Sequence, residues 1–466
     1  MIAPTIGGSV LQQDRQTGLR LIPPIEKFPT FVTFIQTRVG KLVLVLIFGL
    51  GFSSSTIRPW EGTLVTVTLG LTTFLPKWRR IFLASSAFAF SAIQDRSPYF
   101  IAVVVLGLLL FWCARRWPQS RFGKRPAAFL LTSYALLILA TCAIPKSSSF
   151  FSSAWAAIGL LGSYVWFICY ALKDRVASLP GDLPLEAGSF RPVWGSSNVP
   201  FPKGAAYLRR IEAHNAEQLA ATQLKGLKLL IWALLLNLFL NLWRLCFHGY
   251  LRLPLAADAL AMSVHRTPYP WYVCWESQLL SFFESVLELT IFGHRIIACC
   301  RMAGFNALRN TYRPLSSRTI VEFFNRFYYY FKELLVDFFF YPTFFRCFKR
   351  NRRLRLVGAT FAAAAFGNMF YHFTRDYWMI PKVGLAGACM NFQVFAFYCL
   401  ALASALSISQ LRRRRAPYSG FIRGRLIPAV WVVLFYCVLD VFGSTQRDYS
   451  LTEHFRFLAQ LFNIRY

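Results

Sequence analysis

Three groups of residues have types and spacings that could do chemistry. The first is His372, within AAAAFGNMFYHF at 362–373. Asn368 stands four positions before it, so the two share one face of a helix. A neutral imidazole there could take a proton from a hydroxyl, because its ordinary pKa lies near neutrality. The competing reading is a helix-end histidine at a membrane interface, bonded to a carbonyl. The second group lies in SSRTIVEFFNRFYYYFKELLVDFFFYPTFF at 316–345. There Glu322, Asn325, Tyr329 and Lys332 recur at three- and four-residue steps. That spacing predicts one helix with a wetter face, capped by Ser316 or Ser317. The third group is Glu276, Glu284 and Glu288, inside the apolar run 273–298. Carboxylates are costly in lipid, so this run is predicted to face the interior of a bundle.

The elements that must position these groups follow from composition. The 466 residues are 56% hydrophobic and 15% charged. Counted with glycine and without tyrosine, the apolar share is about 58%, against roughly 45–50% in soluble domains. A soluble globular domain and a disordered chain are both excluded on that balance. The expectation is an all-α, polytopic membrane protein of about eleven transmembrane helices, with a membrane-embedded or interfacial helix near 316–345. The runs are 39–57, 61–76, 81–95, 98–114, 127–145, 150–172, 224–246, 273–298, 355–374, 384–409 and 425–443. They divide the chain into a cytoplasmic N-terminal segment (1–38), N-terminal transmembrane helices (39–172), a polar linker with an amphipathic stretch (173–223), a transmembrane core (224–443) and an amphipathic tail (444–466). The first apolar run begins only at Leu42, so no cleavable signal peptide is expected.

Charge sets the orientation. Lys and Arg number 51 against 20 Asp and Glu. Basic residues cluster in loops, as in Arg115, Arg116, Arg121, Lys124 and Arg125, and in Arg412 to Arg415. Such loops read first as a topology signal, cytoplasmic with the C-terminus outside, and the same basic face can also attract anionic lipid heads, nucleotide phosphates or an acidic carrier protein, with no nucleic acid expected. The 11 cysteines are scattered in apolar runs and behave as small hydrophobes, so neither a disulfide framework nor a metal site is expected. Asp337 needs a partner among its apolar neighbours, expected to be Lys332 or an arginine of 346–355.

Several motifs occur in order. RMAGF stands at 301–305, YRP at 312–314 with Ser316 and Ser317 behind it, EFFNRF at 322–327, then Asp337 with Phe338, and His372 about 45 residues past that signature. In this pattern the chain resembles the membrane-bound O-acyltransferases, nearest the branch of alginate O-acetyltransferase and teichoic-acid D-alanyltransferase. It departs from them in places. Tyr328 stands where that branch carries a first histidine, His372 is flanked by Tyr371 and Phe373, and His294 stands where relatives often have an acid. The resemblance covers roughly 292–373.

The resemblance implies acyl transfer from a thioester to a hydroxyl of a lipid, a glycan or a secreted small molecule. His372 would be the general base, and Asn325 or Tyr328 the donor to the developing oxyanion. Arg313 and Arg326 would meet the phosphates of the donor. The donor would be acyl-CoA or an acyl-carrier protein acting as co-substrate, with no permanently bound cofactor and no metal. An acidic carrier protein and membrane lipids are the implied partners, and the bacterial inner membrane or the endoplasmic reticulum the implied site. The plainer readings are an aromatic-belt ring for Tyr328, a helix-face contact for Asn325, and loop or lipid-phosphate cations for the arginines. The alternative functions are a catalytically inactive family member, a transporter or a structural membrane protein.

Overall fold

The structure, a computed structural model, describes residues 22–55, 58–94, 99–176, 179–190, 192–195, 199–412, 420–443 and 449–464. Most of the basic cluster after 384–409 therefore lies outside the described residues, as do 1–21 of the N-terminal segment and parts of the C-terminal tail. The described residues are helical apart from their connecting loops and one antiparallel bridge between Glu212 and Phe305. Apolar runs dictate this, because a segment in lipid must satisfy its own backbone N–H and C=O groups.

Four helices are long and apolar enough to cross a membrane: Phe151–Asp174, Ala216–Tyr250, Tyr377–Leu411 and Ile422–Asp440. The pair Pro29–Gln36 and Arg38–Ser53, bent by 97°, makes a fifth if it acts as one span. The chain is thus a helical, multi-pass membrane protein, with fewer qualifying helices than the eleven expected. The physical reason is length and charge. Pro59–Phe74 and Arg79–Gln94 have 16 residues each, and Pro126–Cys142 has 17. At 1.5 Å per residue these reach about 24–26 Å, short of a hydrocarbon core of ~30 Å. The 98–114 run folds as Tyr99–Arg116, beside residues 95–98, which are not described. Trp271–Met302 carries its glutamates, His294 and Arg301 along its length. The 355–374 run is interrupted by a π-helical turn at Phe361–Gly367.

Phe151–Asp174 is the inner helix, with 72% of its apolar stretch buried, against 22% for Ile422–Asp440, which turns most of its surface outward. Ala216–Arg244 packs on Trp271–Met302 at Gly226, where an added Cβ would lie 2.9 Å from the Ala298 carbonyl oxygen. The 173–223 segment is more than a polar tether. It forms Leu183–Phe190 and Ala205–Ile211, and it buries Leu185, Trp194 and Phe201 in the main core. Arg80 fastens it through Asp182 (3.0 Å) and Glu212 (2.8 Å), and Arg209 ties Asp182 within the segment itself (2.6 Å).

The 316–345 segment is helical but broken. Ile320–Phe327 is capped by Thr319, whose side chain accepts from the Glu322 N–H at 3.1 Å, instead of by Ser316 or Ser317. Tyr328, at φ −137° and ψ 77°, ends that helix. Tyr329–Leu335 then starts afresh and runs through a π turn, Val336–Phe340, into Tyr341–Arg346. The break turns the second half about its axis. Tyr329 and Lys332 are consequently buried instead of sharing a wet face with Glu322 and Asn325. Of the glutamates in 273–298, Glu284 is buried, whereas Glu276 and Glu288 are exposed. Glu284 meets Arg244 at 2.9 Å and His248 at 2.9 Å.

Candidate functional site

His372 sits on Asn368–Arg375, directly after the π turn of Phe361–Gly367. Such turns are frequent at functional sites. The small residues of this turn let a neighbour close in. A Cβ on Gly367 would lie 2.6 Å from the Phe339 ring, so only glycine admits the 336–340 turn at that distance. The half-buried imidazole is walled by rings. Phe395 lies 4.2 Å away between centroids, Tyr371 5.2 Å and Phe331 6.0 Å. Asn368, one turn earlier, is buried, and its Oδ1 has no hydrogen-bond partner among the described residues.

Tyr328 and His372 meet the same ring. Tyr328 lies 5.5 Å from Phe331 and stacks on Phe201 at 6.0 Å. The tertiary fold thus brings the break at Tyr328 beside the His372 helix, although 44 positions separate them in sequence. Asn325 is half-buried on Ile320–Phe327, whose Phe323 stacks on Tyr436 at 4.0 Å. Arg326 is committed to Glu322 at 2.6 Å and donates to Ser316 Oγ at 3.1 Å. Arg313 is exposed, has a left-handed backbone (φ 48°), and lies over the Tyr312 ring at 5.8 Å.

A polar cavity of about 190 Å³ opens elsewhere, where Phe151–Asp174 ends against the linker. His372 is not among its lining residues; Tyr170, Lys173, Lys203, Tyr207, Arg210 and Asp337 are. A second cavity, of about 240 Å³, has Glu61, Trp194 and Arg295 in its wall, again without His372. The expected partners of Asp337 are not the ones found. Its carboxylate takes Lys173 at 2.6 Å and Lys203 at 3.3 Å, and accepts from the Tyr170 hydroxyl at 3.2 Å. Lys332 turns to Glu333 at 2.7 Å, and Lys203 also donates to Glu333 at 2.5 Å.

The electrostatics follow from that geometry. Burial pushes the Asp337 carboxyl up, but Lys203 and Lys173 outweigh it and hold the group below its ordinary value. Glu333 is likewise raised by burial but held low overall by Lys332 and Lys203. Burial pulls Lys203 down, yet Asp337 and Glu333 leave it above its ordinary value. Lys203 holds this place with a left-handed backbone, φ 86°, which costs a non-glycine residue about 1–2 kcal/mol. Sequence reasoning missed Lys173, Lys203, Tyr170 and Glu333. A signal was present: Glu333 and Asp337 are four apart on one helix among aromatic residues, and buried carboxylates demand cations.

The chain matches no family model, and no curated protein matches its sequence.

Proposed function

We propose that this protein is a membrane O-acyltransferase that moves an acyl group from a thioester donor to a hydroxyl. The observation that carries the reading is that His372 and Tyr328 both pack on the Phe331 ring, with the buried Asn368 one helical turn before His372. His372 takes the hydroxyl proton as the oxygen attacks the thioester carbonyl carbon. The tetrahedral oxyanion meets the Tyr328 hydroxyl or the Asn325 carboxamide. The C–S bond then breaks, and the leaving sulfur takes the proton back from the imidazole. The acyl donor is acyl-CoA or an acyl-carrier protein, with Arg313 and Arg326 on its phosphate side. The acceptor is a lipid, a glycan or a secreted small molecule, and the membrane is the bacterial inner membrane or the endoplasmic reticulum. Rings around His372 exclude water, which would otherwise compete as acceptor.

His372→Ala tests this. Acyl transfer should fall by about 10²–10⁴-fold, the usual contribution of a general base, while protein yield and membrane insertion stay as in the native chain. Full activity in His372→Ala would remove the catalytic assignment.

A further inference from the structure

The cavity of about 240 Å³ lies between four helices and the linker. Phe52 comes from Arg38–Ser53, Glu61 from Pro59–Phe74, Phe90 from Arg79–Gln94, Arg295 and Ile296 from Trp271–Met302, and Trp194 from the linker. Glu61 and Arg295 are the charged side chains of its wall, and the others are apolar. Trp194 gives its ring N–H to the Phe201 carbonyl at 2.9 Å. Arg295 is half-buried, and its Nε is buried with no acceptor among the described residues. Its guanidinium lies over the Phe52 ring at 5.3 Å, a contact that favours the charge but supplies no oxygen to the N–H groups. Among the described residues no carboxylate forms an ion pair with Arg295, and Glu61 meets Arg58 at 3.7 Å.

A guanidinium carries donors only, and a dry donor without an acceptor is costly. The two oxygens of a carboxylate match its fork. The rings and aliphatic groups around it suit an apolar body behind that head. A phosphate dianion suits the space less, because its second charge would find no second cation in the wall and would face Glu61. One water takes up ~30 Å³ in the liquid, so the space corresponds to about eight such volumes, enough for a carboxylate and a chain of about six carbons. A longer tail would leave past Phe292, which is also in the wall and is 38% exposed.

We propose that this cavity binds the carboxylate end of a free fatty acid, with Arg295 on the head and Phe52, Phe90, Trp194 and Ile296 around the chain. The site is separate from His372 and does not rest on the acyl-transfer reading; a thioester has no carboxylate to offer Arg295.

The test uses the full chain in phosphatidylcholine nanodiscs, with radiolabelled octanoate as probe in equilibrium dialysis and empty nanodiscs as the blank. Saturable binding above the blank is expected. Arg295→Gln keeps the length of the side chain and removes the charge, and it should weaken binding about tenfold or more, the worth of a charge-assisted hydrogen bond. Two competitors on the native protein make the test independent of how any variant folds. 1-Octanol has the same chain and no charge, and it should displace octanoate at least tenfold less well than unlabelled octanoate does. Inorganic phosphate has charge and no chain, and it should displace little. Absence of saturable binding, equal binding by native protein and Arg295→Gln, or displacement by octanol or phosphate as effective as by octanoate itself overturns the site. No acyl transfer is measured, so failure here leaves the role of His372 intact, and an active His372→Ala leaves this site intact.

Discussion

Replacing Lys203 with Met should destabilise the fold in a pH-dependent way. The Lys203 ammonium sits between Glu333 and Asp337, and all three side chains are at most 15% exposed. Removing one partner of a buried ion pair typically costs about 3–5 kcal/mol. Here each carboxylate keeps a second cation: Lys173 stays at 2.6 Å from Asp337 and Lys332 at 2.7 Å from Glu333. The expected loss is therefore lower, about 2–3 kcal/mol near neutral pH. Asp337 and Glu333 have folded pKa values below their ordinary ones, so their contribution is present above the ordinary carboxylate range and lost as pH falls through the folded values. Lys203 is shifted up, so its contribution is complete below the ordinary lysine pKa and lost as pH rises through the higher folded value. The gap between native protein and Lys203→Met should be widest on the neutral plateau and shrink towards both extremes. Reversible unfolding in mixed micelles, followed by tryptophan fluorescence at several pH values, measures it. A variant within about 0.5 kcal/mol of native at pH 7, the range of an ordinary surface change, would refute the reasoning. So would a gap that persists unchanged well below the carboxylate range.

Other outcomes follow from the same structure. Tyr328→Phe keeps the stack on Phe201 and Phe331 and removes only the hydroxyl; if that hydroxyl meets the oxyanion, kcat should fall by roughly 10²-fold with the thermal midpoint unchanged. Gly40→Ala would place its Cβ 1.9 Å from the Phe34 carbonyl oxygen across the 97° bend, so thermal unfolding should show a loss of about 1–3 kcal/mol or more, and native-like melting would contradict the bend. Ser120→Cys, placed in the exposed basic loop between Arg116 and Arg125, should react with an impermeant maleimide only from the cytoplasmic side of oriented vesicles.

The sequence alone determined the class of structure. A chain this apolar, with long apolar runs and many of its cations between them, folds as membrane helices, because a continuous apolar run in lipid satisfies its backbone within itself only as a helix. Helices occur at every apolar run it marks out, and the amphipathic 316–345 segment is helical. The spacing of Asn368 and His372 also survived, since both lie within one short helix. What the sequence overstated was the number of helices long enough to cross: an apolar run shows where a helix forms, whereas its end is set by caps, prolines and π turns. The helix ending at Tyr328 is an example. Its local pattern continues smoothly, yet Asn310 of a distant loop accepts the Tyr329 and Tyr330 N–H groups and holds the break open. Only the tertiary structure decided which face of the second half is buried, and so which cation meets Asp337. Lys203 lies 134 positions from Asp337, and no periodicity connects the two. The closeness of Tyr328 and His372 to Phe331 was decided in the same way. It depends on Gly367 and Phe339 letting two helices approach, a contact between side chains that are local to nothing but the fold.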